Sequence, residues 1–291
     1  MTEDRYAAAT GLVARSAAAF AAAIPEHPAD DGFFGPASVT WRASGDLSAL
    51  VAGFRALLVQ ALHPLAMAGV DQHSQWRQDP VGRLAATSSY MATVTFGDRA
   101  SAQAAAARVR RIHEHVTGVD EVTGKPYAAG DPALLLWVHA ALVDSEIAVR
   151  EMFGTPLHAD GYVAEMVTTA ELVGVPRALV PDSAAGLTAY IDSVRPELRC
   201  TPAAREAMTY LLDPPGLDED IAEIWADIRA GVVAALPRWA CELYGLEPPP
   251  LTPDRLTEIR QALGVLDAVF LGEPGVLEAR QRIAARLRMA A

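Results

Sequence analysis

Apolar residues along this chain recur at every third and fourth position. Leu47, Leu50, Val51, Phe54, Leu57, Leu58, Ala61 and Leu62 form one broad stripe, the spacing of a helix that buries one side. Ala102, Ala105, Ala106, Val109, Ile112 and Val116 repeat it and predict a helix that runs on to Gly118, a residue suited to ending one. The same period predicts helices over 3–23, 80–95, 132–152, 160–173, 183–194, 202–212, 218–243, 253–270 and 274–289. The nearest approach to the alternation of a strand is Thr93-Val94-Thr95-Phe96, which is short.

Punctuation supports these boundaries. Asp79-Pro80, Asp131-Pro132, Thr201-Pro202 and Thr252-Pro253 each place a capping side chain before a proline. Proline's missing N–H costs nothing in the first helical turn. The proline-rich breaks at 213–216 and 247–250 are short connections, and no repeat or long linker divides the chain. The expected fold is all-α: one multi-helix domain over 1–291.

Composition narrows the chemistry. With 51% hydrophobic but only 7% aromatic residues, the chain suits helices packed on helices better than a β-sandwich. A single lysine, Lys125, accompanies many arginines, and asparagine is absent. That bias fits a GC-rich genome and leaves Lys125 as the one side-chain amine. A net charge of −12 offers no basic footprint for nucleic acid and repels an anionic membrane overall. Cys200 and Cys241 are too few for a disulfide framework and read as free thiols of a reducing compartment. The stretch Ala17–Ile24 is too short to span a bilayer and lacks a cleavage signature, so the expected location is cytoplasmic, with no transmembrane segment.

The common catalytic signatures are absent: no glycine-rich phosphate loop, no Gly-x-Ser-x-Gly elbow, no paired CxxC. His113-Glu114 opens like a zinc-protease motif, but Thr117 stands where its second histidine belongs. His113 and His115 would point to nearly opposite sides of a helix. His113 falls beside Ile112 on the apolar stripe, whereas His115 falls with Arg108 and Arg111 on the charged side. An imidazole among apolar groups needs partners for its nitrogens. A metal would serve as a partner, and so would a backbone carbonyl.

Arg83 and Thr87 are four apart, so their side chains meet on a face that continues apolar through Tyr90, Met91 and Val94. An arginine there calls for an anion, either on a bound ligand or on a structural carboxylate. His139 shares an apolar face with Leu135, Leu142 and Val143, and there a hydrogen-bonded core histidine competes with a ligand. His63-Pro64 and His73-Ser74 sit at helix ends, where histidines often cap.

These residues fall in an ordered set. Trp41-Arg42, Leu57–Pro64, His73-Ser74, Asp79–Leu84, Thr87, Phe96-Gly97, Arg110–His113, Pro126-Tyr127, Asp131-Pro132 and Leu136–Ala140 together resemble the rubber oxygenase catalytic domain family. That family includes the latex-clearing proteins and the MpaB-type oxygenase of mycophenolic acid biosynthesis. The likeness covers about 33–150, and the C-terminal half fits as generic helix. It implies an all-helical fold enclosing haem b, with His113 as the iron ligand. It places Arg83 and Thr87 at the haem pocket and His139 near it. It also implies cleavage of isoprenoid carbon–carbon double bonds with dioxygen. The latex-clearing proteins carry a lysine directly before the threonine, able to take the sixth iron position; here the residue is Ala86. The carboxylate proposed as their base has no counterpart that can be placed.

The expectation is therefore a haem-dependent oxygenase or oxidase acting on an apolar small molecule. In it Arg83 anchors a propionate or an oxygen-derived anion, Thr87 hydrogen-bonds to dioxygen or water, and a second-shell acceptor holds the other nitrogen of His113. A haem or lipid carrier without turnover and a cofactor-free helical interaction protein are the alternatives.

Overall fold

The computed structural model describes residues 15–44, 48–154, 156–215, 217, 219–271 and 275–290. Residues 15–22 are helical (α1). Then come α2 (Val39–Ala43), α3 (Ser48–Ala61), α4 (Pro64–His73), α5 (Pro80–Phe96) and α6 (Arg99–His113). A small antiparallel hairpin follows, β1 (Thr117–Val119) paired to β2 (Pro126–Ala128) with Gly118 opposite Tyr127. The rest is α7 (Pro132–Met152), α8 (Ala159–Val173), α9 (Ala184–Val194), α10 (Pro202–Leu212), α11 (Glu219–Ala235), α12 (Arg238–Tyr244), α13 (Pro253–Leu271) and α14 (Val276–Ala290). The fold is all-α apart from that hairpin.

The helix starts follow from their caps. The Asp79, Asp131 and Thr201 side chains accept from the N–H groups of Gly82, Ala133 and Ala204, and Thr252 accepts from Arg255. Each satisfies an orphan donor of a first turn. His63 caps α4 in the same way, its Nδ1 facing the N–H of Ala66 at 3.5 Å.

α3 and α7 form the central pair. The stripe of α3 buries Val51, Phe54 and Leu58, and Trp137 of α7 is wholly enclosed. The Trp137 indole donates to the carbonyl of Gln60 at 3.2 Å. α4, α10 and α11 pack around α3; α8 and α9 pack on α7; α6 lies against α5 and α8. The α2 helix is tied in from far along the chain, because Glu165 of α8 accepts from the N–H groups of Val39 and Thr40 at 3.0 and 2.8 Å.

Two sequence expectations change. The helix expected to reach Gly118 ends at His113, and Gly118 lies in β1. The helix expected over 218–243 is two, α11 and α12, because Pro237 cannot continue the hydrogen-bond ladder. The helix expected over 80–95 is α5, and Thr93–Phe96 is its last turn. Among the described residues α7 is long and apolar enough to cross a bilayer, and 61% of that stretch is buried inside this fold, as in a core helix. Parts of other expected elements, namely residues 3–14, Leu47, Gly216, Asp218 and Pro274, lie outside the described residues.

Candidate active site: a helical cavity closed by His113

A cavity of about 360 Å³ opens beside α3, within the range of small-molecule pockets. Phe54, Leu57 and Ala61 form its α3 wall, a helical repeat of three and four that presents one face. The next wall is α4, where Gly69 lets Tyr127 of the hairpin approach to the distance an added Cβ would just touch. Leu134, Leu135 and Val138 of α7 continue it, and Ala207, Tyr210 and Leu211 of α10 close the far side. The walls are mostly hydrocarbon, so water in the cavity is cheaply displaced by an apolar molecule.

Three of the four expected site residues meet here. Arg83 and Thr87 line the cavity from α5, and His113 lines it from the last residue of α6. Their convergence follows from two local causes. The spacing of four stacks Arg83 under Thr87. The end of α6 at His113 turns the chain into the hairpin, with Val116 bonding to Ala129, and leaves the imidazole at the cavity edge.

His113 is half-buried rather than sealed in a core, and its neighbour Ile112 is 56% exposed. The Nδ1 atom of His113 is buried with no hydrogen-bond partner. This replaces the expected second-shell acceptor: no acceptor among the described residues reaches that nitrogen. The charge in its neighbourhood is Arg83. Burial first, and the guanidinium second, hold the imidazole below its ordinary value, so the ring stays neutral with a lone pair to donate.

Arg83 is the single permanently charged residue among the described cavity-lining residues. Its side chain is surrounded by protein yet open to solvent, and no carboxylate or carbonyl among the described residues receives it. The surrounding protein disfavours its charge, the direction expected of a cation without a counter-ion. The Thr87 hydroxyl donates to the Arg83 carbonyl at 3.1 Å. Its proton is thereby used within the helix, while its lone pairs remain for a ligand.

His139 does not belong to this group. It is 8% exposed and absent from the cavity lining. It lies three residues after Leu136 and four before Val143, on a flank of α7 whose members cluster with α8. Burial pushes its pKa down to about 4. Sequence spacing placed it on an apolar face but could not say which neighbour that face meets. Conversely, His73 and Tyr210 line the cavity without having been singled out for it. The His73 ring nitrogen Nε2 lies 3.1 Å from the Thr117 carbonyl. Tyr210 had a usable signal, since Ala207, Tyr210 and Leu211 repeat the three-and-four spacing.

Among the described residues no three His, Cys, Asp or Glu side chains come together to hold a metal. What the cavity offers is two separate imidazoles, His73 held against the Thr117 carbonyl and His113 with an unpartnered Nδ1, beside an apolar space. Comparison with protein-family models matches residues 41–268 to the family described as ER-bound oxygenase mpaB/B'/Rubber oxygenase, catalytic domain. The chain belongs to this family. The match runs well past residue 150, so α8 to α12 are part of the rubber oxygenase catalytic domain, as the α10 wall of the cavity requires. Comparisons with curated proteins and with solved structures returned no match. Membership makes this an oxygenase-type domain, with dioxygen and a small molecule as its general reactants.

Proposed function

We propose that this protein is a haem b-dependent oxygenase that acts on an apolar small molecule in the cavity between α3, α5, α7 and α10. The observation that carries the reading is His113. It is a neutral imidazole at the edge of a hydrocarbon-lined cavity, with no protein acceptor for Nδ1, and among the described residues no three metal-ligating side chains come together there. A lone imidazole suits a metal whose remaining positions are filled by a macrocycle. The residues fit haem b on that test. His113 would hold the iron, and the walls from α3, α4 and α7 would enclose the porphyrin.

Haem bound here supplies the activation of dioxygen that side chains cannot provide. The chain's own contribution is positional and electrostatic. The His113 imidazole donates its lone pair, and because Nδ1 has no acceptor its basicity is not raised from behind. The apolar walls exclude water and hold a hydrocarbon-rich substrate by burial. Thr87 offers hydroxyl lone pairs, and Arg83 offers positive charge beside them. Ala86 brings no amine to this face of α5, so the open side of the cavity is left to small ligands.

The test is spectroscopic. Purified protein supplied with haem should show a Soret band with one haem per chain. His113→Ala should lose it or weaken haem binding by at least about tenfold, the usual scale of damage to the shells of a metal site. Equal haem binding by His113→Ala and wild type overturns the reading. Oxygen uptake with alkenes of increasing chain length then separates turnover from carriage, since a carrier would bind haem and consume none.

A further inference from the structure

We propose that the Trp76 indole N–H is a substrate anchor, and that the substrate is therefore an apolar molecule carrying a neutral carbonyl oxygen, not a pure hydrocarbon. The inference deepens the oxygenase reading and rests on it only in taking this cavity as the substrate site.

An indole nitrogen donates one hydrogen bond and accepts none. Leaving that donor unpaired in a core costs free energy, so enclosed tryptophans usually find an acceptor. Three buried tryptophans of this fold do so. Trp41 donates to the Thr95 carbonyl at 2.6 Å, Trp137 to the Gln60 carbonyl at 3.2 Å and Trp225 to the Leu212 carbonyl at 3.2 Å. Trp76 is also enclosed, at 7% exposed, yet its Nε1 has no partner among the described residues. Of these four it alone lines the cavity. By contrast Gln60, Thr87 and Tyr127, which line the cavity too, donate to the Val138 carbonyl, the Arg83 carbonyl and the Gln72 side chain.

The ring is also held in place. Trp76 stands in the turn between α4 and α5, and the Arg77 guanidinium lies 4.4 Å from its ring centroid. Arg77 is gripped in turn by Asp71 of α4 at 2.6 Å and by both oxygens of Glu206 of α10 at 2.7 Å. Glu206 directly precedes Ala207 of the cavity wall. The clamp therefore fixes the indole beside α10, and a donor fixed before binding loses little entropy on meeting its acceptor. The surroundings select that acceptor. Trp76 packs in one apolar cluster with Phe54, Leu84 and Leu211, which line the cavity beside it. A carboxylate would exchange its water for a single neutral N–H there, at a net cost. A hydrocarbon would leave the N–H unpaired. A carbonyl on an apolar body keeps its hydrogen bond and buries its chain.

The experiment measures displacement of N-phenyl-1-naphthylamine, a neutral fluorescent probe, by 2-dodecanone and by 2-methyl-1-dodecene. Haem-loaded and haem-free protein are titrated in parallel under nitrogen. The two ligands have the same shape and differ in oxygen against methylene at one position. The decisive quantity is the ratio of their dissociation constants. It is compared between wild type and protein in which the Trp76 side chain is replaced by its benzothiophene isostere, which keeps the bicyclic ring and has sulfur in place of N–H. Comparing proteins cancels the ligands' different water solubilities. Loss of the N–H should weaken the ketone about fivefold relative to the alkene, the scale of one net hydrogen bond. Trp76→Phe should move the ratio the same way while weakening both ligands through lost volume. In a proton–nitrogen correlation spectrum the Trp76 indole signal, identified by its loss in Trp76→Phe, should move downfield with the ketone and not with the alkene. Equal ratios in wild type and isostere overturn the proposal, as does an indole signal that the ketone leaves in place. If neither ligand binds, the cavity is not the substrate site and this proposal falls with the reading beneath it. Binding of both without discrimination sinks this proposal alone. The haem-free titration needs no cofactor, so its result is separate from that of the Soret test.

Discussion

His139 is the residue whose burial has the clearest consequence in solution. Its imidazole has an ordinary value of 6.5 and is pushed to about 4 by burial alone. The unfolded chain therefore binds a proton there at a pH where the folded chain does not. The stability this contributes is complete above pH 6.5 and is lost as pH falls from 6.5 toward 4. A shift of that size is worth roughly 3 kcal/mol, at about 1.4 kcal/mol per pH unit. His63 and His113 move in the same direction, each first because of burial, and so add to the acid sensitivity. His139→Leu should keep near-wild-type stability at pH 7 and lose less between about pH 7 and 4.5, read as the difference in urea midpoints between the two proteins. An identical pH dependence would mean that the His139 ring is not shielded as described. At this scale the sequence was informative about chemistry and silent about address. Arg83, Thr87 and His113 were legible because residue type and a spacing of four are both local facts. That His139 is buried away from the cavity lining depends on which helix packs where, and no local pattern encodes it.

Helices were legible where their ends are chemical. Each Asp-Pro or Thr-Pro pair that reads as a start is a start, because cap and proline act within one turn. The end of α6 was not legible. Val116 continues the apolar period, but the Val116 carbonyl accepts from Ala129 at 2.8 Å, and a hairpin partner on the far side of the turn outcompetes the helix ladder. Gly118 matters there for a reason other than helix termination. A Cβ at that position would stand 2.7 Å from the Tyr127 hydroxyl and 2.8 Å from Gln72 Oε1. Those two atoms are themselves bonded at 2.7 Å, tying the hairpin to α4. Gly118→Ala should break that bond and cost about 1–3 kcal/mol, the usual scale of overpacking, seen as a lower urea midpoint. It should also weaken binding of apolar probes in the cavity, because Tyr127 lines it. An unchanged midpoint would show that the hairpin can yield without loss. The α2 helix makes the same point about range, since the carboxylate that receives its first N–H groups belongs to Glu165, more than a hundred residues away.

Across the whole molecule, the cavity depends on α3 and α7 being held against the C-terminal half, and Arg55 is the clamp. It joins α3 to Asp144 and Ser145 of α7 and to the final carbonyl of α11. The two charges are not equally enclosed: the Arg55 side chain is 4% exposed and that of Asp144 32%. Removing the partner of the more deeply buried charge should therefore be worse. Asp144→Ala leaves a sealed guanidinium with a carbonyl and a hydroxyl but no counter-charge, and should cost about 3–5 kcal/mol. Arg55→Leu leaves a carboxylate that water already reaches, and keeps apolar volume in the core, so it should cost less. The double variant should be more stable than the sum of the two losses allows, by a coupling of about 1–3 kcal/mol. Chemical unfolding of the four proteins measures that coupling directly. Simple additivity would mean that the pair is incidental and that apolar packing alone joins the halves. Since Phe54 and Leu57 flank Arg55 on α3 and face the cavity, the variant that loosens the clamp should also weaken binding of apolar probes, while one that merely weakens a distant surface should not.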